Sequence, residues 1–566
     1  MNLDCLSGRI VLLFIGVAKL FIVGVFWFWM KEEVLRVIRE RGLLLERGVL
    51  ELLDSFKDAK LAKEFLVNIE RISGEKMITM NLLNRNVEFV NSVVKKLPGE
   101  EKSLIEKTFI KLGFSLEVHR ESKVVGSELW EKEGDNRLDK ERENKGLGYK
   151  VFYADTKPDK KLEVRDFVGH FRARYRILQR ILMGRSDIQG NLVSINKISG
   201  ERQSLSIIAI VTEKRITKNK NLIIKFEDLT GEISGIVKFD NVELFEVASE
   251  LQLDDIVAVK ASGNKDMVFV HDIFFPDSFL YEKTRFKEDI NIAFLSDIHC
   301  GSDGHLGKEF ERFLEWINGD EEAAKKLRYI FIVGDNVDGV GVFPGQEKLL
   351  SLKSMGAQYS LLANYLRRIP DNITIFMCPG QHDATRVAEP QPLIDRKYAE
   401  ELYDLENLVL VTNPCMVKLI EGESEFKVLM YHGASIHSFI NNIKDLREMK
   451  AHRCPAKAVR YMLKRRHLAP SHGDVVYIPN NKEDPLIIKE VPDILCIGEV
   501  HRLDVENYNG VLIITGSCWQ AQTEFEEKVG NIPDPCKVSI FNLKTGGLRV
   551  FDFSDGARVG KIGGDE

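Results

Sequence analysis

The sequence predicts a multidomain chain: a small α-helical N-terminal domain, a β-barrel, and a large α/β domain. Three observations carry this. Apolar residues recur at helical spacing between residues 30 and 97. The period switches to two over roughly ninety residues after Asn191. From Asp289 to Phe553, short buried strands alternate with helical segments, and several of those strands end on acids and histidines. A chain of 566 residues is long enough for three or four such units.

Composition narrows the class. Eighty Lys and Arg stand against 86 Asp and Glu, so no global field marks the chain as a polyanion binder, and any such contact must be local. The eight Cys are scattered without a C-x-x-C pair, which excludes a zinc ribbon or disulfide framework and fits a reducing cytoplasm. Of 12 His, nine fall between His299 and His501.

Residues 1–29 are read as an extension. Ile10 to Met30 is apolar but for Lys19 and long enough to span a bilayer, yet Met30 is followed at once by an amphipathic helix. The expectation is a start assigned upstream of the true initiator, with a membrane anchor as the alternative; no small-residue cleavage site suggests a signal peptide. In the helical domain, 30–97, Val34, Leu35 and Ile38, then Leu50, Leu53 and Phe56, then Phe65 and Ile69 form the apolar stripes. Residues 98–165, with runs such as EKEGDNRLDKERENKG, read as a charged linker.

The third unit, 166–284, opens with a helix, Phe167 to Met183, whose Arg172, Arg176 and Arg180 share a solvated face. Strand-like runs follow at Asn191–Ile198, Leu205–Thr212, Leu222–Glu227, Ile233–Phe239, Ile256–Ala261 and Met267–Phe275, with a helix at Val242–Leu251. Five or six short strands with one helix suggest an OB barrel. Such barrels can bind single strands, and Lys214, Arg215, Lys218 and Lys220 make a basic loop here. Aromatics are sparse, so a purely structural barrel is an equal reading.

The last unit, 285–566, carries the chemistry. The strand before Ser296 ends on Asp297 and His299. Tyr329–Val333 runs into GDNVDG with Asp335 and Asp338, and Ile373–Cys378 into PGQHD with Gln381, His382 and Asp383. Lys427–Tyr431 ends at His432, and Ile494–Ile497 at GEVH with Glu499 and His501. Ligands delivered from strand ends onto loops are how α/β scaffolds build sites. In this order the motifs resemble the calcineurin-like metallophosphoesterase superfamily, whose signature runs D-x-H, GD-x-x-D, GNH[DE], a lone His, then GH-x-H. The resemblance implies two divalent metals, most simply Mn2+ with Mg2+ as alternative. Asp297, His299, Asp335 and His501 would hold one; Asp335 as bridge, Gln381, His432 and Glu499 would hold the other. His382 would face the leaving-group oxygen, oriented by Asp338 through its other ring nitrogen.

Two positions depart from the signature, both on the second metal. Gln381 replaces an Asn and is one methylene longer. Glu499 replaces a His, and as a hard oxygen donor favours manganese or magnesium. Flanking segments (CPGQHDATRVAEPQP from Cys378, YHGAS from Tyr431, RHLAP from Arg466, SCWQAQTEFEEKVGNIPDP from Ser517) and the domain order resemble the small subunits of archaeal family D DNA polymerases. That resemblance implies a 3′→5′ exonuclease acting on single-stranded 3′ ends and primer-template DNA. The implied partners are a catalytic large subunit and the sliding clamp, with no membrane. A scaffold subunit without catalysis and a free-standing nuclease are the competing readings. His305, His437, His452, His467 and His472 match no ligand position, and Lys464, Arg465 and Arg466 suit either DNA phosphates or a solvated helix face.

Overall fold

The computed structural model describes residues 32–46, 59–73, 76–78 and 147–554, apart from 157–160, 186–187, 189–190 and 530, and the single positions 49, 53, 82 and 83. The extension, most of the charged linker and much of the helical domain lie outside the described residues. Among the described residues no helix is long and apolar enough to cross a membrane.

Two compact units divide the chain, 1–125 and 126–566. In the first, helix α1 (Glu32–Arg41) and helix α2 (Ala59–Ser73) flank a short parallel pair, β1 (Leu44–Leu45) and β2 (Met77–Ile78). Phe65, Leu66 and Ile69 are fully buried there, the apolar stripe of α2.

The second unit begins with strand β3 (Leu147–Tyr153), inside the predicted linker. Its apolar alternation LGYKVFY pairs residue for residue with β13, from Leu147↔Glu421 to Tyr153↔Cys415. The linker boundary at 165 is therefore corrected: a local excess of charge hid a strand whose partner lies far along the chain. Helix α3 (Val164–Met183) follows, begun by a capping box between Glu163 and Asp166. Arg172, Arg176 and Arg180 are exposed as expected, whereas Arg174 is buried on Asp484.

The predicted strand Asn191–Ile198 is replaced by one bridge at Leu192 and a 3-10 turn at 195–197, because Asp228 accepts the Ile195 amide (2.8 Å) and holds that residue in a turn. The barrel consists of β4 (Gln203–Ile216), β5 (Leu222–Glu227), β6 (Glu232–Val237), β7 (Ile256–Gly263) and β8 (Val268–Phe274). It closes in the order β4-β5-β6-β8-β7, with helix α4 (Val242–Glu250) between β6 and β7. Alternate residues of β5 and β6 are buried, which fills the barrel interior.

Two six-stranded sheets follow. The first runs β12-β11-β10-β9-β18-β19, from β9 (Asn291–Leu295), β10 (Leu327–Val333), β11 (Thr374–Cys378), β12 (Leu408–Leu410), β18 (Lys537–Asn542) and β19 (Leu548–Asp552). The second runs β16-β17-β15-β14-β13-β3, adding β13 (Cys415–Glu421), β14 (Ser424–Tyr431), β15 (Ile494–Ile497), β16 (Asp504–Tyr508) and β17 (Val511–Thr515). Phe294, Phe331, Val333, Phe376, Val428 and Cys496 pack between the sheets. Helices α5 (Gly307–Ile317) and α6 (Met355–Leu366) cover the outer face of the first sheet. Helices α7 (Ile436–Asn442) and α8 (Ala456–Arg465) cover the second. A four-layered α/β/β/α sandwich results. Strands such as β9 and β15 are covered on both faces, which is why they read as unbroken apolar runs.

Because β3 belongs to the second sheet, the sandwich is discontinuous in sequence and the barrel is inserted between β3 and β9. Two basic segments have corrected roles. Lys214 donates to the Ser249 and Leu251 carbonyls (2.9 and 2.5 Å) and caps the end of α4, so it leaves the predicted nucleic-acid loop. Lys464 pairs with Glu250, Arg465 is buried on Asp255 (2.8 Å), and Arg466 donates to the Ile488 and Lys489 carbonyls (2.6 and 2.5 Å). This run ties the sandwich to the barrel and is neither a DNA surface nor a solvated face.

Candidate active site

The parallel strands β9, β10, β11, β14 and β15 all end at one edge of the two sheets, and each delivers part of the site. Five of the seven proposed ligands take left-handed backbone: Asp297 (φ 51°), His299 (49°), Asp335 (47°), Glu499 (71°) and His501 (56°). Non-glycine residues avoid this region at a cost of order 1–3 kcal/mol each, so the surrounding structure holds them there. Glycines make room for them. A Cβ on Gly380 would lie 2.2 Å from Asp335 Oδ1 and 2.7 Å from His432 Nε2, and one on Gly334, itself left-handed, 2.2 Å from His432 Nδ1.

The ring orientations are fixed from outside. His299 Nδ1 faces the Asp338 carboxylate (3.1 Å), and His501 Nδ1 faces the buried Glu526 (3.0 Å). The Asp338 carboxylate favours the proton on His299 Nδ1, whereas His501 Nδ1 lies near Glu526 without a hydrogen bond; the two Nε2 atoms are 3.1 Å apart. Asp297 Oδ1 lies 3.5 Å from His501 Nε2, and Asp297 Oδ2 is buried with no hydrogen-bond partner.

The other half follows the same logic. His432 Nδ1 donates to the Val333 carbonyl (3.0 Å), leaving its Nε2 lone pair toward Asp335 Oδ2 (3.3 Å) and Glu499 Oε2 (3.2 Å). Gln381 donates its amide to Glu499 Oε2 (2.8 Å), and its own Oε1 is buried and unpaired. Asp335 Oδ2 sits between the halves, 4.0 Å from His299 Nε2 and 3.9 Å from His382 Nε2. Carboxylates and imidazole nitrogens thus crowd together, and Asp297 Oδ2 and Gln381 Oε1 are buried without a donor, an arrangement that suits cations. Among the described residues three groups of side chains converge closely enough for one ion each: Asp297, His299 and His501; Asp297, Asp335 and His432; and His299, Asp338 and His382.

The carboxylates here favour charged imidazoles: against burial, His432 and His501 are held well above the usual histidine range. Burial alone would raise Asp335, but His432, His382 and His299 outweigh it and hold the carboxyl well below the usual range. Burial likewise opposes ionised Glu499, and contacts with His432 and His437 override it, so Glu499 stays charged. His382 is raised: burial works against its charge, but Asp335, the Asp338 carbonyl and carboxylate, and Glu499 prevail.

One expected contact is corrected. The Asp338 carboxylate orients His299, while His382 Nδ1 donates to the Asp338 main-chain carbonyl (2.6 Å). Asp338 is occupied besides by Gln346 and Gln520 amides (both 3.0 Å). Neither glutamine carries a motif, and no local signal marks Glu526. Asp383 accepts from the Asn336 and Gly380 amides (3.1 and 2.9 Å) and from the Tyr359 hydroxyl (2.9 Å), clamping the β10 and β11 loops together. His437, which matches no ligand position in the sequence, approaches Glu499 Oε1 at 3.5 Å; its place on α7, one turn beyond the His432 loop, was the available signal. His305 Nδ1 donates to the Ile298 carbonyl and its Nε2 meets the Tyr365 hydroxyl, a packing role, and His467 is buried on Asp484. Arg215 pairs with Glu213, Lys220 lies over Phe239 (5.5 Å), and Lys218 is exposed.

Residues 292–504 match the family model of the B-type subunits of DNA polymerases alpha and epsilon. The chain is 36% identical over 403 residues to the DNA polymerase II small subunit of Pyrococcus furiosus, covering 69% of this chain and 64% of that protein. It is 35% identical over 399 residues to the Methanothermobacter thermautotrophicus DNA polymerase II small subunit, covering 69% of this chain and 80% of that one. The chain belongs to the archaeal DNA polymerase II small-subunit family. The Thermoplasma acidophilum small subunit is similar too, at 33% identity over 72% of this chain and 81% of the relative. The chain spans under two thirds of the Pyrococcus small subunit's own length. The family model, from Ile292 to Asp504, takes in every proposed ligand of this small subunit and leaves out Gln520 and Glu526.

Proposed function

We propose that this chain is the small subunit of a two-subunit DNA polymerase, and that its strand-end site is a 3′→5′ exonuclease working with two divalent cations. The carrying observation is the convergence of His299 Nε2 and His501 Nε2, 3.1 Å apart, beside Asp297, whose Oδ2 is buried with no hydrogen-bond partner. The donor set fits cations: Asp297, His299, Asp335 and His501 would hold one, and Asp335, Gln381, His432 and Glu499 the other. Its carboxylate and amide oxygens favour Mn2+, with Mg2+ as alternative. Two such ions supply charge to the phosphate and lower the pKa of an attacking water. Asp335 joins the two halves. His382, held by the Asp338 carbonyl with Nε2 toward the site and with its pKa raised by Asp335, Asp338 and Glu499 against burial, would give its proton to the departing 3′-oxygen.

The partners in this reading are a catalytic large subunit, DNA with single-stranded 3′ ends or primer-template junctions, and a sliding clamp, in the cytoplasm. We read the barrel as an OB fold, supported by its strand order and the helix between its third and fourth strands. Nucleic-acid contact through it would fall to Arg215, Lys218 and Lys220. A scaffold role is the second reading. It is favoured by the Gln381–Glu499 hydrogen bond, which satisfies two second-cation ligands with each other.

The test is degradation of a single-stranded and a mismatched primer with Mn2+, with and without the large subunit. Wild type should digest from the 3′ end, and His382→Ala should lose at least about 100-fold in rate. Wild-type digestion unchanged in His382→Ala rejects the site. A Glu499→His variant that gains activity while wild type is inert supports the scaffold reading.

A further inference from the structure

Beside His382 opens a cleft of about 1110 Å³, larger than the roughly 300–1,000 Å³ of pockets that enclose a single small molecule. Gln381 and His382 line its inner end. Its lining mixes polar and charged residues with apolar and aromatic ones, among them Val340 and Val342 from the loop after β10, and Val387, Tyr398 and Tyr403 from the segment after β11. All five side chains stay 37–55% exposed, which is surface a folded chain normally hides. Cations stand on both rings. The Arg396 guanidinium lies 5.4 Å from the Tyr403 ring centre, and the Lys397 ammonium 5.1 Å from that of Tyr398. The Asp395 carboxylate accepts the Lys397 main-chain amide (2.9 Å), and Arg386 is turned onto the Ala388 and Pro390 carbonyls, where it braces the loop.

Exposed rings flanked by positive charge, in an open cleft of this volume, are the features that hold single-stranded nucleic acid without reading its sequence. The cleft is continuous with the leaving-group histidine, so whatever occupies it is an extension of the strand whose phosphodiester lies at the site. We propose that this cleft seats the bases next to the scissile bond of single-stranded DNA, stacked on Tyr398 and Tyr403, with Arg396 and Lys397 against the backbone. This deepens the exonuclease reading and rests on it for the direction of the strand.

Two measurements on the full chain separate the ideas. Binding is read from the anisotropy of a labelled oligo-dT with Ca2+ replacing Mn2+, and chemistry from hydrolysis of bis(p-nitrophenyl) phosphate, which is too small to use the cleft. Tyr398→Ala and Arg396→Ala should each weaken oligo-dT binding, about 5- to 100-fold for the ring. Turnover of the small diester should be unchanged, and Tyr398→Phe should restore affinity. Unchanged affinity in Tyr398→Ala and in Tyr403→Ala, with normal melting, overturns the proposal. So does loss of association with the large subunit in these variants while oligo-dT affinity stays the same, since the cleft is then a protein interface. If wild type hydrolyses neither DNA nor the small diester but still binds oligo-dT through Tyr398, the cleft stands and the exonuclease reading fails.

Discussion

Asp338→Asn isolates the tautomer argument. The Asp338 carboxylate accepts from His299 Nδ1 (3.1 Å), Gln346 Nε2 (3.0 Å) and Gln520 Nε2 (3.0 Å), and offers no donor in return. An asparagine has one acceptor oxygen for three donors. If its amide nitrogen turns toward His299, the ring must give up its Nδ1 proton and present Nε2–H to the site, where a cation should sit. Loss of such an outer partner costs about 10–100-fold in metal affinity, or about 1.4–2.7 kcal/mol. If its oxygen turns there instead, a buried amide donor is stranded, at about 1–3 kcal/mol of apo-protein stability. The two outcomes are separable by calorimetric Mn2+ titration and by melting with and without metal. At a hundredfold excess over the wild-type Kd, wild type gains about 2.7 kcal/mol from the ion. A variant binding 100-fold more weakly gains about 0.4 kcal/mol under the same conditions. An Asp338→Asn protein with wild-type Mn2+ affinity and wild-type melting would refute the claim that this carboxylate sets the His299 tautomer.

Burial pushes Glu389 up to about 8, against the hydrogen bond it receives from Tyr431. A carboxyl raised on folding is protonated in both states below its unfolded value near 4.3, and stability then declines as pH rises from there to about 8. Glu389→Gln should flatten that decline, so the melting difference between variant and wild type widens from pH 5 to pH 8; parallel curves contradict it. Arg465→Ala leaves Asp255 buried and unpaired and should cost about 3–5 kcal/mol. Lys464→Ala removes a more accessible partner of Glu250 and should cost about 0–1 kcal/mol; equal losses by denaturant titration would show that burial does not decide these pairs.

The site was legible in the sequence wherever a strand covered on both faces ran straight into its ligand. Ile292–Leu295 before Asp297, and Ile494–Ile497 before Glu499, are apolar without a break because helices cover one side and the other sheet the opposite one. The residues that orient those ligands were not legible. Gln346, Gln520 and Glu526 reach the site from loops and a short helix whose own sequence carries no period, and their role exists only across the fold. Lys464, Arg465 and Arg466 were illegible for a related reason. A run of cations looks the same whether it faces water or an acid some two hundred residues away, as Arg465 faces Asp255. For β3, the charge of the neighbouring segment outweighed a correct alternation of seven residues.

That edge strand has a consequence for how the chain is made. β3 leaves the ribosome before the barrel, yet its sheet partner among the described residues, β13, spans residues 415–421. At about 5–20 residues per second, the strand waits roughly 13–50 s for its seat, while the barrel has time to form between them. Closing so long a connection adds little entropy cost, since each doubling of loop length adds only about 0.6 kcal/mol. Until β3 docks, β13 presents a bare edge to other nascent chains. β13 also pairs along its length with β14, the strand that carries His432. The first strand of the second sheet to be synthesised is therefore seated only after a long wait, and its arrival closes the open edge beside the strand that runs into His432, which faces Asp335.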